Sequence, residues 1–145
     1  MTMNPSAIEM QVSNGIQVLI AVEKAKELAE KLGFSEVDQV KIAIATSELA
    51  RNILLHAGGK GKIIINSLKD PDRVGIIVVA EDKGPGIANV EKALQGINDS
   101  KKGLGVGLSG AKRLMDEFNI ESKVGKGTTV IAKKWKKQPL TSEGG

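Results

Sequence analysis

The sequence predicts an α+β two-layer sandwich, with helices packed on one face of a mixed, mostly antiparallel sheet. Three observations carry this. Two long helical stripes follow each other early in the chain, and the strand-like segments after them come mostly as hairpins. Strand and helix also fail to alternate regularly, as a doubly wound parallel sheet would require.

The elements follow in order. "IEMQV" alternates as a first strand and "SNG" turns it. From Ile16 to Leu32 one helical stripe holds Val18, Ala21, Val22, Ala25, Leu28, Ala29 and Leu32, and Gly33 ends it. Ser35 reads as the N-cap of a second helix, with Asp38 in the capping-box position. That helix runs through "VDQVKIAIATSELARNILLHA" and stops at Gly58-Gly59. Its core arc is expected to hold Ile42, Ala43, Leu49, Ala50, Ile53 and Leu54. "GKIIINSL" and "RVGIIVVAED" read as strands joined by a turn at Asp70-Pro71-Asp72. Residues 83 to 103 form a glycine-punctuated loop with one helical turn around "NVEKAL", and a helix from about Leu104 to Phe118 follows. "NIESKV", a Gly125-Lys126-Gly127 turn and "TTVIAKKW" form a closing hairpin. Residues 1–137 are expected to make one domain and residues 138–145 a disordered tail.

At 145 residues, 41% hydrophobic and 26% charged, the chain has the balance of one globular domain with a single core. It has no cysteine, which excludes disulfides and thiolate metal sites. The opening residues show no signal-peptide pattern and "VGIIVVA" is far too short to cross a bilayer, so the expectation is a cytoplasmic protein without membrane contact. Residues 123–137 hold six lysines and no acid, so the net charge of +4 belongs to that segment and the remainder is net acidic. On a terminal strand such lysines are expected to oppose edge-to-edge pairing. With one Trp, two Phe and no Tyr there is little to stack nucleic acid bases on, and no nucleic acid partner is expected.

Four motifs bear chemistry. Glu48 and Asn52, four apart, share a face of the second helix flanked by Ile44, Ala45 and Leu55. They read equally as a cleft wall, with a proton-accepting carboxylate and an amide oxygen for Mg²⁺, or as a solvated face with Glu48 paired to Arg51. Asp82-x-Gly84-x-Gly86 ends the most apolar strand. It suits either an ordinary turn or a pocket in which a carboxylate accepts from an exocyclic base amine. Gly105-x-Gly107-x-x-Gly110 satisfies a dinucleotide fingerprint, but "QGINDSKKG" before it is polar where that fingerprint needs a buried strand. The loop reads instead as a phosphate cover running into a helix. "GKGTT" adds a second glycine turn with a hydroxyl at Thr128.

In this order, E-x-x-x-N at 48–52, D-x-G-x-G at 82–86, G-x-G-x-G at 103–107 and G-x-G-T at 125–128 resemble the four ATP-site motifs of the GHKL superfamily. The resemblance spans about residues 36–136 and implies the Bergerat fold, with ATP and Mg²⁺ as cofactors. No phosphoacceptor or transducer domain is expected in 145 residues, and "SELARNILLHAGGKG" and "AEDKGPGI" look like the stand-alone anti-sigma-factor serine/threonine kinases, most closely the stressosome type. That resemblance implies phosphorylation of a STAS-domain antagonist, followed by activation of a PP2C-type phosphatase. The alternative is an ATP-binding anti-sigma factor that sequesters a sigma factor.

By the same resemblance Glu48 would be the general base, and Asn52 the Mg²⁺ ligand. Asp82 would read adenine, with Gly84 and Gly86 shaping its pocket and Thr128 in the same network. Gly103, Gly105 and Gly107 would wrap the phosphates, with Lys101 or Lys102 at the γ-phosphate. His56, the only histidine, is expected to pack and cap the helix end. Trp135 is expected in core or edge packing.

Overall fold

The computed structural model describes residues 2–3, 7–95 and 106–137. Its strands are β1 (Thr2–Met3), β2 (Ile8–Gln11), β3 (Gly61–Lys69), β4 (Val74–Asp82), β5 (Glu117–Lys123) and β6 (Gly127–Trp135). The helices are α1 (Gly15–Lys31), α2 (Glu36–His56), α3 (Val90–Leu94) and α4 (Val106–Leu114). The sheet order is β1-β3-β4-β6-β5, with β2 also paired to β3. Every pairing among the described residues is antiparallel, so the parallel component expected of a mixed sheet is absent there.

Local signals set the ends of the two long helices. Asn14 accepts from Gln17 N at the start of α1. Gly33, at φ 87°, ends it with Phe34 N donating to Ala29 O and Gly33 N to Glu30 O, a Schellman closure. Ser35 Oγ then caps α2 by accepting from Asp38 N at 3.1 Å. Val18, Ala21, Ala25 and Ala29 of α1 and Ile42, Leu49, Ala50 and Ile53 of α2 enter one core. That core lies on the sheet face of Ile63, Ile65, Ile76, Val78, Ala80, Val130 and Ala132. The opposite face carries a smaller cluster of Leu68, Ile77 and Trp135, where the Arg73 guanidinium lies 3.6 Å over the indole ring.

Three expectations change. The last helix ends at Leu114, before Phe118, because residues 117–123 alternate in burial and pair with β6. Asp116 N, which donates to Lys133 O, has already left the helix ladder. The lysine-rich strand is also no edge, since β6 lies between β4 and β5. Lys134 is turned inward, 4% exposed, against Asp38 and Asp116. On α2, Ala45 and Thr46 take core places, while Ala43 and Leu54 are only half-buried.

This architecture separates two isoleucines. Ile63 is 0% exposed and Ile16 is 70% exposed. Ile63→Ala should lower unfolding free energy by about 3 kcal/mol, through lost burial and a residual cavity. Ile16→Ala should change it by less than about 0.5 kcal/mol. Urea denaturation of both variants checks the assignment of faces.

Candidate functional site

Helix α2 presents Glu48, Asn52 and His56 at successive four-residue steps, so all three share one stripe running toward the end of the sheet where β4 stops. Glu48 and Asn52 are half-buried. The apolar flank expected around them is different: Ala45 belongs to the core, while Ile44 and Leu55 face solvent. The cover comes from α4 instead. A Cβ at Gly107 would stand 2.6 Å from Glu48 Oε2, the mobile end of that side chain, and 3.5 Å from its Cβ, so α4 lies directly over Glu48. No ion pair joins Glu48 to Arg51 among the described residues.

The β4–β6 register places Asp82 directly opposite Thr128, uniting two motifs that lie 46 residues apart. Asp82 Oδ1 accepts from Gly84 N at 2.9 Å and from Thr128 N at 3.3 Å. These bonds fix the carboxylate at the strand end while its second oxygen keeps its acceptor capacity. Glycine at 84 and 86 has a reason within the chain. A Cβ at Gly84 would lie 2.8 Å from the Ala57 Cβ, and one at Gly86 (φ 80°) would collide with the Lys123 carbonyl. These contacts dock the loop after β4 against the end of α2 and the β5–β6 turn.

Ser122 is a member of the site that the sequence reading missed. Its Oγ accepts from Ile87 N at 2.7 Å, lies 2.7 Å from Thr128 Oγ1 and donates to Gly127 O at 3.2 Å. With the Ser122 proton on that carbonyl, the Thr128 hydroxyl donates to Ser122 and keeps its own lone pairs. The hairpin register sets Ser122 opposite Thr128 across a turn of residues 124–126, one position earlier than the Gly125-Lys126-Gly127 turn expected from the sequence.

Asn52, His56, Asp82, Pro85, Gly86, Ile87 and Thr128 together line a crevice of about 10 Å³. That is room for about one water. A larger groove of about 540 Å³ shares Asp82 but lies toward the other face of the sheet, lined by Lys60, Lys62, Lys83, Lys126, Glu81 and Thr129. It contains neither Glu48 nor Asn52, whereas Asn52, Asp82 and Thr128 meet in the smaller crevice. Lys101, Lys102, Gly103 and Gly105 lie outside the described residues. No cluster of three acidic, His or Cys side chains among the described residues could hold a metal ion by itself. An Asn52 oxygen acting with phosphate oxygens and water is the donor set that suits Mg²⁺.

Residues 13–134 match the histidine kinase-like ATPase domain. The chain is 46% identical over 118 residues to the serine/threonine-protein kinase RsbT of Bacillus subtilis (strain 168), covering 81% of this chain and 88% of that one. It is 37% identical over 103 residues to an anti-sigma F factor of Clostridium acetobutylicum, covering 68% and 70%. Among solved structures, the RsbU and RsbW domains of Rv1364c from Mycobacterium tuberculosis superpose with a TM-score of 0.61 at 20% identity, over 92% of this chain and 33% of that one. The nucleotide-free catalytic domain of histidine kinase ThkA gives 0.53 at 20% identity, over 94% and 97%.

Ser122→Ala should remove the acceptor of Ile87 N and the partner of the Thr128 hydroxyl. A cost of about 1–2 kcal/mol in local stability is expected. Amide exchange at Ile87 should accelerate at least fivefold, with β3 amides unchanged. Unaltered exchange at Ile87 would remove Ser122 from the site's architecture.

Proposed function

The chain belongs to the histidine kinase-like ATPase family, and from that premise we propose that it is an ATP-dependent protein serine/threonine kinase of a bacterial sigma-factor switch. The observation that carries this reading is the convergence at one end of the sandwich. Glu48 and Asn52 on α2 lie on the stripe that ends at the Asp82–Thr128 pair of the sheet. The 46% identity to a serine/threonine-protein kinase supports it independently.

In this reading Asp82 accepts a hydrogen bond from the adenine amine, on the carboxylate that Gly84 N and Thr128 N already orient. The carboxylate prefers adenine to guanine, which presents an oxygen at that ring position. Gly84 and Gly86 shape this end of the pocket, and Thr128 belongs to the same network. Asn52 would ligate Mg²⁺, which supplies charge neutralisation between the phosphates. Gly103, Gly105 and Gly107 would wrap the phosphates, with Lys101 or Lys102 at the γ-phosphate. Since the crevice holds only about 10 Å³, it must widen for a base to enter.

The transfer itself needs a proton acceptor. A substrate hydroxyl oxygen bonds to the γ-phosphorus, the bond to the bridging oxygen breaks, and ADP leaves. Glu48 receives the hydroxyl proton. The substrate proposed is a STAS-domain antagonist, and the released kinase would then engage a PP2C-type phosphatase, all in the cytoplasm. No described helix is long and apolar enough to cross a membrane. A second reading, a clamp on a sigma factor with ATP as its conformational ligand, draws on the 37% identity to an anti-sigma F factor. Co-purification with a sigma factor in place of a STAS-domain protein would favour it.

Glu48→Gln keeps side-chain size and removes basicity. Phosphate transfer from ATP to a STAS-domain substrate should fall at least a hundredfold, the scale of a lost general base. ATP affinity should stay within about threefold. Near-normal transfer by this variant in a radiolabel assay would refute the role given to Glu48.

A further inference from the structure

Lys134 is an interior cation that the chemistry above does not use. Its side chain is 4% exposed, and that of Asp38 5%. The ammonium donates to Leu114 O at 2.9 Å and lies 3.5 Å from Asp116 Oδ1 and 4.0 Å from Asp38 Oδ1. Three oxygens therefore surround a group with three donors. They come from three places: the last carbonyl of α4, the turn after it, and the first turn of α2. The turn is itself pinned to β6, with Asp116 N donating to Lys133 O and Asp116 Oδ2 accepting from Trp135 N at 2.7 Å.

Helix α4 has only nine residues, and its buried residues are Leu108, Ser109 and Ala111, with Met115 just beyond its end. Apolar burial is non-directional, so the contacts of Leu108 and Ala111 hold α4 down without fixing its position along its own axis. The bond from Lys134 to the Leu114 carbonyl is directional, and a cation suits the negative end of a helix. At the other end of α4, Gly107 faces the Glu48 side chain, with its Cβ position 2.6 Å from Oε2. A slip of one residue moves the helix by about 1.5 Å. It would carry Gly107 away from its place opposite Glu48.

We propose that Lys134 is a positioning residue: its buried ammonium, bonded to the last carbonyl of α4, fixes the register of α4 against α2 and so holds Gly107 opposite Glu48. The consequence for phosphate transfer rests on Glu48 being the base, as proposed above. The mechanical part does not.

Lys134→Met alone would strand the buried Asp38 carboxylate, so the variant to make pairs it with Asp38→Leu, removing both interior charges. In nucleotide-free protein, amide exchange across residues 106–114 should become at least tenfold faster than in the wild type, with β3 and β4 amides unchanged. No acceleration in α4, or equal acceleration throughout the chain, would overturn the proposal, the second by reducing Lys134 to a general stabiliser. In the transfer assay with a STAS-domain substrate, kcat should drop about tenfold while KM for ATP stays within threefold, because Asp82 and Thr128 lie at the opposite end of β4 and β6. A normal kcat would overturn the catalytic consequence. If wild-type protein transfers no phosphate, the kinase reading fails, and the exchange measurement alone decides the anchoring role.

Discussion

The pairing of β4 with β6 is the constraint on which the site depends. Asp82 and Thr128 are partners in that ladder, and Asp82 Oδ1 receives the Thr128 amide across it. Because side chains alternate between the faces of a strand, a slip of one residue would turn Asp82 away from the helices and place Glu81 there. The register is held against that by the apolar residues of the same strands. Ile76, Val78 and Ala80 on β4, with Val130 and Ala132 on β6, must all reach the helix side together. Burial of the core therefore aims the carboxylate, and no separate device is needed to do so.

Helix α2 converts this end of the sheet into a two-sided site. Its core stripe of Ile42, Leu49 and Ile53 docks on the sheet and fixes its rotation. The adjacent stripe then carries Glu48, Asn52 and His56 along the edge of the crevice. Each end of the helix is secured differently. At the N-terminus Ser35 caps the helix and Asp38 reaches toward Lys134, whereas at the C-terminus Ala57 meets the bare backbone of Gly84. Helix α4 lies alongside and covers Glu48 through Gly107. Sheet, long helix and covering helix thus each contribute one wall, and the proposed chemistry falls where they meet.

Much of this is legible in the residues. Periodicity places α1, α2, β3, β4 and β6 within a few positions, and the caps at Ser35 and Gly33 act as their chemistry dictates. The ordered glycine and acid motifs identify Asp82 and Thr128 by resemblance. What local pattern misses is set by tertiary pairing. Residues 115–118 look like continued helix because Met115 and Phe118 keep the apolar spacing, yet β6 offers a ladder that captures Glu117 and Phe118 as strand. Lys134 reads as a surface lysine because lysine clusters are usually solvated. Its burial follows only from two carboxylates and a helix-end carbonyl that converge from distant parts of the chain. Ser122 is similar, since a serine in a polar strand has no local signature until the hairpin register is drawn. The opposite error occurs at Ile44 and Leu55, apolar residues expected to line the site that face solvent instead.

The central claim is that the Asp82 carboxylate, oriented by the β4–β6 ladder, selects a nucleotide by its exocyclic amine. Titration calorimetry with ATP and with purine riboside triphosphate, which carries hydrogen in place of that amine, tests it most directly. Loss of a hydrogen bond to an ionised acceptor is worth about 1.5–3 kcal/mol, so the analogue should bind at least tenfold more weakly. Equal affinity for the two triphosphates would contradict the account, because the residue that the sheet takes such care to aim would then read nothing.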